Sequence, residues 1–125
     1  MAEADFTVYI VDDDESVRVS LKHLIESSGY PAVTFESAED FRQSNFRGSP
    51  ACVVLHIHLP GMSGLDLQKQ LVKSQSRIPV IFISGRDKPL MEHEAMKVGG
   101  IAYLRKPFEG QCLLDAIELA REKGG

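Results

Sequence analysis

The chain has 125 residues, 43% of them hydrophobic and 26% charged, which is long enough to bury a substantial core in one domain and excludes both disorder and a fibrous repeat. Fourteen basic residues against eighteen acidic ones leave a net charge of -4, and the Lys and Arg residues are scattered, so nucleic acid is not expected as a direct partner. No apolar run approaches the roughly 18 residues of a membrane span and Met1-Ala-Glu-Ala-Asp5 lacks the basic start and apolar core of a signal peptide, so no membrane partner is expected and the cytoplasm is the expected location.

Phe6-Thr-Val-Tyr-Ile-Val11 reads as a β-strand, followed at once by Asp12-Asp-Asp-Glu15. Val17, Leu21, Leu24 and Ile25 then recur at helical spacing until Gly29 stops the helix. Ala32 to Phe35 is a short second strand, and Ser37 with Asp40 three residues on resembles a capping box opening a helix near Phe41. Gly48-Ser-Pro50 breaks the chain. Ala51-Cys-Val-Val-Leu55 is an unbroken apolar run, as a strand covered on both faces requires, and Leu59-Pro-Gly61 ends it, which places His56 at its C-terminal rim. Leu65, Leu67, Leu71 and Val72 mark a third helix, Pro79 to Ser84 a fourth strand, and Leu90, Met91, Ala95 and Val98 a fourth helix. Ile101 to Leu104 is a fifth strand, Leu113, Ala116, Ile117 and Ala120 a final helix, and Glu122 to Gly125 a tail. Cys52 and Cys112 both fall in apolar patterns and read as small buried thiols rather than a disulfide.

Five strands alternating with five helices predict an α/β fold with a five-stranded doubly wound parallel sheet, in one domain over residues 1–125 with its core about 6–122. Right-handed crossovers leave the loops after the strands on one rim, where ligands collect in such sheets. That rim gathers Asp12 and Asp13, then His56, then Ser84-Gly85, then Lys106-Pro107. Paired carboxylates suit a hard cation such as Mg²⁺, and a hydroxyl and an ammonium opposite them suit the oxygens of a phosphoryl group. Each piece alone has a plainer reading. The Asp run caps the first helix, with Asp14 the residue expected to do so; Ser84-Gly85 is an ordinary turn; Lys106-Pro107 is a tight connection open to a cis bond. Their joint occurrence at the ends of strands one, four and five is the specific signal.

Val8-Tyr-Ile-Val-Asp-Asp-Asp-Glu-Ser-Val-Arg18, Leu59-Pro-Gly-Met-Ser-Gly64, Ile81-Phe-Ile-Ser-Gly85 and Tyr103-Leu-Arg-Lys-Pro-Phe108 together resemble the receiver domain of bacterial two-component response regulators, over essentially all of residues 6 to 122. Ser37-Ala-Glu-Asp-Phe41 and Lys106-Pro-Phe-Glu109 resemble the receivers that precede a LuxR-type DNA-binding domain. The resemblance implies a flavodoxin-like, CheY-like fold and a cytoplasmic module of a phosphorelay, with a sensor histidine kinase or other signalling protein as partner and a DNA-binding output domain outside this chain. It further implies that Asp12, Asp13 and the backbone carbonyl of His58 hold Mg²⁺, that Ser84 is the switch hydroxyl, that Lys106 contacts the phosphoryl group, and that Tyr103 changes rotamer on activation. Read without the family, Tyr103 is a half-buried aromatic on an edge strand.

The same resemblance places His56 where the family carries the aspartate that accepts the phosphoryl group and ligates the ion. An imidazole cannot form an acyl phosphate, and losing a carboxylate about 4 Å from a cation forfeits about 4 kcal/mol of Coulomb attraction at an effective dielectric near 20. Mg²⁺ is therefore expected to bind weakly or not at all. Three readings of His56 follow. The leading one is a receiver-shaped module that takes no phosphate on aspartate and acts through protein contacts, without turnover. The second is a small metal-binding or phosphatase-like α/β protein using Asp12, Asp13 and His56, with a softer ion such as Zn²⁺, Ni²⁺ or Cu²⁺. The third is phosphorylation on His56 itself, disfavoured because relay histidines lie on exposed helices. His23 and His93 fall in helices and are expected to face solvent.

Overall fold

The structure, a computed structural model, describes residues 6–44, 50–85 and 89–124. The strands are β1 Thr7–Val11, β2 Ala32–Phe35, β3 Ala51–His56, β4 Val80–Ser84 and β5 Ala102–Arg105; the helices are α1 Glu15–Ser27, α2 Ala38–Gln43, α3 Gly64–Lys73, α4 Pro89–Lys97 and α5 Gly110–Gly124. All four ladders are parallel and the order is β2-β1-β3-β4-β5. This is the doubly wound sheet that the alternating pattern predicts.

The period-two geometry of a strand splits each apolar run between two cores. Val8 and Ile10, Cys52 and Val54, and Ile81 and Ile83 pack with Leu21 and Ile25 of α1 and Leu113, Ala116, Ile117 and Ala120 of α5. Val11, Val53, Leu55, Val80 and Phe82 point the other way, onto Phe41 of α2, Leu67 and Leu71 of α3 and Ala95 of α4. Both faces of β3 and β4 are therefore dry, which is why their sequences show no polar alternation. Each fully buried aliphatic or aromatic side chain contributes about 2 kcal/mol of transfer free energy.

Local chemistry sets the helix starts. Asp14 caps α1, its carboxylate accepting from Ser16 N at 2.9 Å and Val17 N at 3.4 Å. Ser37 Oγ accepts from Asp40 N at 3.0 Å, so the capping residue is the predicted one, though the helix begins at Ala38 rather than near Phe41. Ser63 caps α3 through Asp66 N at 3.1 Å. Gly29, with φ of 99°, turns the chain out of α1.

Several expectations are corrected. Leu90 is 76% exposed and Val72 54% exposed. Each lies one residue, about 100° of helix rotation, from a neighbour that faces the sheet: Met91 and Leu71. Cys112 is exposed for the same reason, next to buried Leu113, whereas Cys52 is buried as expected; both thiols are free. β5 runs from Ala102 rather than Ile101, and α5 continues through Glu122 and Lys123 to Gly124 instead of ending in a tail. Gly48 and Ser49 of the predicted break, the first five residues and Gly125 lie outside the described residues. Among those described, no helix is long and apolar enough to cross a membrane, and His23 and His93 are exposed as expected.

Candidate functional site

From β1 the chain winds outward to β2 and then returns to β3 on the opposite side of β1. Loops leaving the carboxyl ends of β1 and β3 therefore diverge, and a crevice opens between them. Asp12 and Asp13 follow β1 and His56 ends β3, so all three stand at this switch point. One carboxylate oxygen from each aspartate and one ring nitrogen of His56 lie within 4.8 Å of one another.

Asp12 is the anchored member, 1% exposed. Its Oδ1 accepts from Asp14 N at 2.9 Å, and its carbonyl accepts from Arg18 Nη1 at 2.8 Å. Oδ2 is buried, has no hydrogen-bond donor among the described residues, and faces Lys106 Nζ at 3.7 Å. A buried carboxylate oxygen without a donor is costly unless a cation balances it. Asp13 is exposed beside it.

His56 Nδ1 lies 2.9 Å from the carbonyl oxygen of His58. A carbonyl only accepts, so Nδ1 is the donor in this arrangement. The His58 ring stands 6.2 Å from that of His56, centroid to centroid, and does not belong to the cluster. Two contacts hold the intervening loop. Gly64 N donates to Ile57 O at 2.9 Å, and a Cβ on Gly64 would stand 2.4 Å from the His56 carbonyl oxygen. Glu39 Oε2 of α2 accepts from Met62 N at 3.0 Å, and backbone N–H donors hold the Glu39 carboxyl below the ordinary glutamate range.

Ser84 is fully buried at the end of β4, one step beyond Ile83, the partner of His56 across the ladder. Its carbonyl accepts from Lys106 N at 2.8 Å. The Lys106-Pro107 bond is cis, and the lysine stem passes Gly85, where a Cβ would lie 4.0 Å from Lys106 Cδ. Tyr103 is half-buried on β5, its hydroxyl buried without a hydrogen bond among the described residues, with the Arg105 guanidinium 5.8 Å from its ring centroid. Arg105 in turn pairs with Glu92 of α4. The fold thus joins Asp12, Asp13, His56 and Lys106 directly, whereas the Tyr103 hydroxyl makes no hydrogen bond to that group. Glu39, Arg18 and the close approach at Gly64 were not foreseen. Glu39 and Met62 are 23 positions apart, and no local pattern announces such a tie.

The family model of the response regulator receiver domain matches residues 8–118. Nodulation protein W of Bradyrhizobium diazoefficiens is 44% identical over 116 residues, covering 93% of this chain and 51% of that protein. Transcriptional regulatory protein TdiR of Thauera aromatica is 40% identical over 114 residues, covering 91% and 50% respectively. Among solved structures, the response regulator StyR superposes with a TM-score of 0.90 at 43% identity, covering 97% of this chain and 61% of that one. The chain belongs to the response regulator receiver domain family of two-component systems. It spans about half the length of the curated relatives it matches.

Proposed function

We propose that this receiver lacks its phosphoryl acceptor, with His56 standing where the family's aspartate would be, and that it signals through protein contacts. The observation that carries the reading is the position of His56: last residue of β3, at the switch point, with a ring nitrogen among the carboxylates of Asp12 and Asp13. An acyl phosphate requires a carboxylate, and the rim offers none on β3. Ser84 and Lys106 then keep the roles of switch hydroxyl and phosphoryl-contacting lysine in form, while Tyr103 is the rotamer residue, its hydroxyl turned inward. As a domain of a longer protein the chain would meet a sensor histidine kinase in the cytoplasm and act on a DNA-binding output domain, a reading supported by relatives named as transcriptional regulators that are about twice its length.

The rim fits Mg²⁺ poorly. That ion demands oxygen ligands in near-octahedral order. Here an imidazole replaces the third carboxylate, and the His58 carbonyl already accepts from His56 Nδ1. Asp12 Oδ2, buried without a donor, still marks the crevice as a place for positive charge.

Intact-mass analysis after incubation with Mg²⁺ and a small-molecule phosphodonor tests this reading. The chain is expected to remain unlabelled, and a His56→Asp variant to gain one phosphate. Labelling of the unaltered chain would refute it.

A further inference from the structure

We infer that the crevice formed by Asp12, Asp13 and His56 is a site for a divalent transition-metal ion of the Zn²⁺ type, selected against Mg²⁺ by the imidazole. The inference deepens the proposed reading and rests on it for the role of His56 in the rim.

Three observations carry it. The first is the donor set. Two carboxylate oxygens and one imidazole nitrogen converge within 4.8 Å, and an imidazole with carboxylates suits Zn²⁺, Ni²⁺, Co²⁺ and Cu²⁺, whereas Mg²⁺ prefers oxygen alone. The second is Asp12, which is 1% exposed, with Oδ2 lacking a hydrogen-bond donor among the described residues. Lys106 Nζ stands 3.7 Å from that oxygen, beyond hydrogen-bond reach. Oδ1 is already committed to Asp14 N and the Asp12 carbonyl to the Arg18 guanidinium, so Oδ2 is the Asp12 oxygen left without a donor among the described residues. The third is the His58 carbonyl, 2.9 Å from His56 Nδ1. Either ring nitrogen serves. In the neutral ring Nε2 carries the lone pair while the carbonyl holds Nδ1–H, the usual way in which a protein orients a ligating histidine. If Nδ1 instead loses its proton to solvent, with Nε2 carrying the ring's remaining proton, its lone pair and the carbonyl oxygen, 2.9 Å apart, keep close to the separation of adjacent donors each about 2.1 Å from one metal. The exposed edge at Asp13 leaves room for water to complete the shell.

The test uses the chelator-treated 125-residue chain. Zn²⁺ and Mg²⁺ are titrated separately by calorimetry and by competition with a chromophoric chelator, on the unaltered chain, His56→Ala and His56→Asp. One Zn²⁺ per chain is expected, bound at least about a hundredfold more tightly than Mg²⁺, with a loss of at least about tenfold in His56→Ala. In His56→Asp the preference should narrow as Mg²⁺ gains its third carboxylate. Co²⁺ is also added to the unaltered chain, whose rim carries no substitution: a paramagnetically shifted imidazole N–H resonance supports the site, and its absence overturns it. Zn²⁺ binding of equal strength in His56→Ala also overturns it, by placing the ion elsewhere, as at exposed Cys112. Phosphate uptake by His56→Asp is read independently, so a failed metal site leaves the receiver reading standing, and labelling of the unaltered chain removes that reading whatever the metal does.

Discussion

At the scale of single residues, the carboxyl end of β3 is closely packed by the start of α3, with Gly64 N donating to Ile57 O at 2.9 Å. Gly64 opens α3 directly against it, and a side chain there would place Cβ 2.4 Å from the His56 carbonyl oxygen and 3.0 Å from Ile57 Cα. Two effects compete in Gly64→Ala. Alanine favours a helix over glycine by about 1 kcal/mol, but overpacking against atoms that cannot swing aside costs about 1–3 kcal/mol or more. The obstructing atoms are backbone, so the clash wins. Gly64→Ala is expected to lower stability by about 2 kcal/mol in urea unfolding. A variant as stable as the parent would mean that the loop yields. His56 itself illustrates how little of a site one residue reveals alone: its type excludes an acyl phosphate, but its tautomer depends on the His58 carbonyl.

At the scale of elements, the loop from Ile57 to Ser63 carries His58 and is fastened to α2 by Glu39. That bond predicts a specific pH dependence. Donation from Met62 N, the largest cause, and from the Glu39 backbone holds the carboxyl below its ordinary 4.5. A carboxyl whose folded value is depressed stabilises the fold fully above its unfolded value, and the contribution is lost as pH falls below 4.5 and through the lower folded value. Glu39→Gln removes this contribution, so its stability should fall less steeply between about pH 5 and pH 3 than the parent's. Urea midpoints across that range provide the measurement, and parallel curves would sink the idea. Gln68 of α3 makes a comparable tie, its Nε2 donating to Val98 O at 3.1 Å after α4. Both are polar bonds between separate elements, invisible to any pattern of hydrophobic spacing.

At the scale of the whole molecule, the two cores separate the cysteines that the sequence treats alike. Cys52 lies in β3, fully covered, and desolvation pushes its thiol well above the ordinary range. Cys112 stands on the outer side of α5. The thiolate is the reactive form, so a thiol reagent is expected to modify Cys112 alone in the native chain and both cysteines in denaturant. Mass analysis counts the labels; rapid native labelling of Cys52 would show that the sheet opens. The strands, their order in the chain, the caps at Asp14 and Ser37 and the rim residues were legible because each rests on local chemistry or a short period. The faces of α4 and the start of α5 were less so: Leu90 and Cys112 sit beside residues of similar hydrophobicity, and a rotation of 100° decides which one is covered.

The amino-acid sequence by itself determined that alternating apolar runs and amphipathic helices form one parallel α/β sheet, that acidic and basic groups end successive strands, and that an imidazole ends the third. Those properties follow from residue type and spacing within a few positions. Only the tertiary structure decided that β1 and β3 are neighbours across the switch point, which brings the nitrogen of His56 within 4.8 Å of two carboxylates. It also decided that Asp12 keeps one oxygen buried without a donor among the described residues and that the His58 carbonyl is engaged by the ring two residues before it. Each of these depends on distances between segments joined only by packing, and no local rule of sequence specifies them.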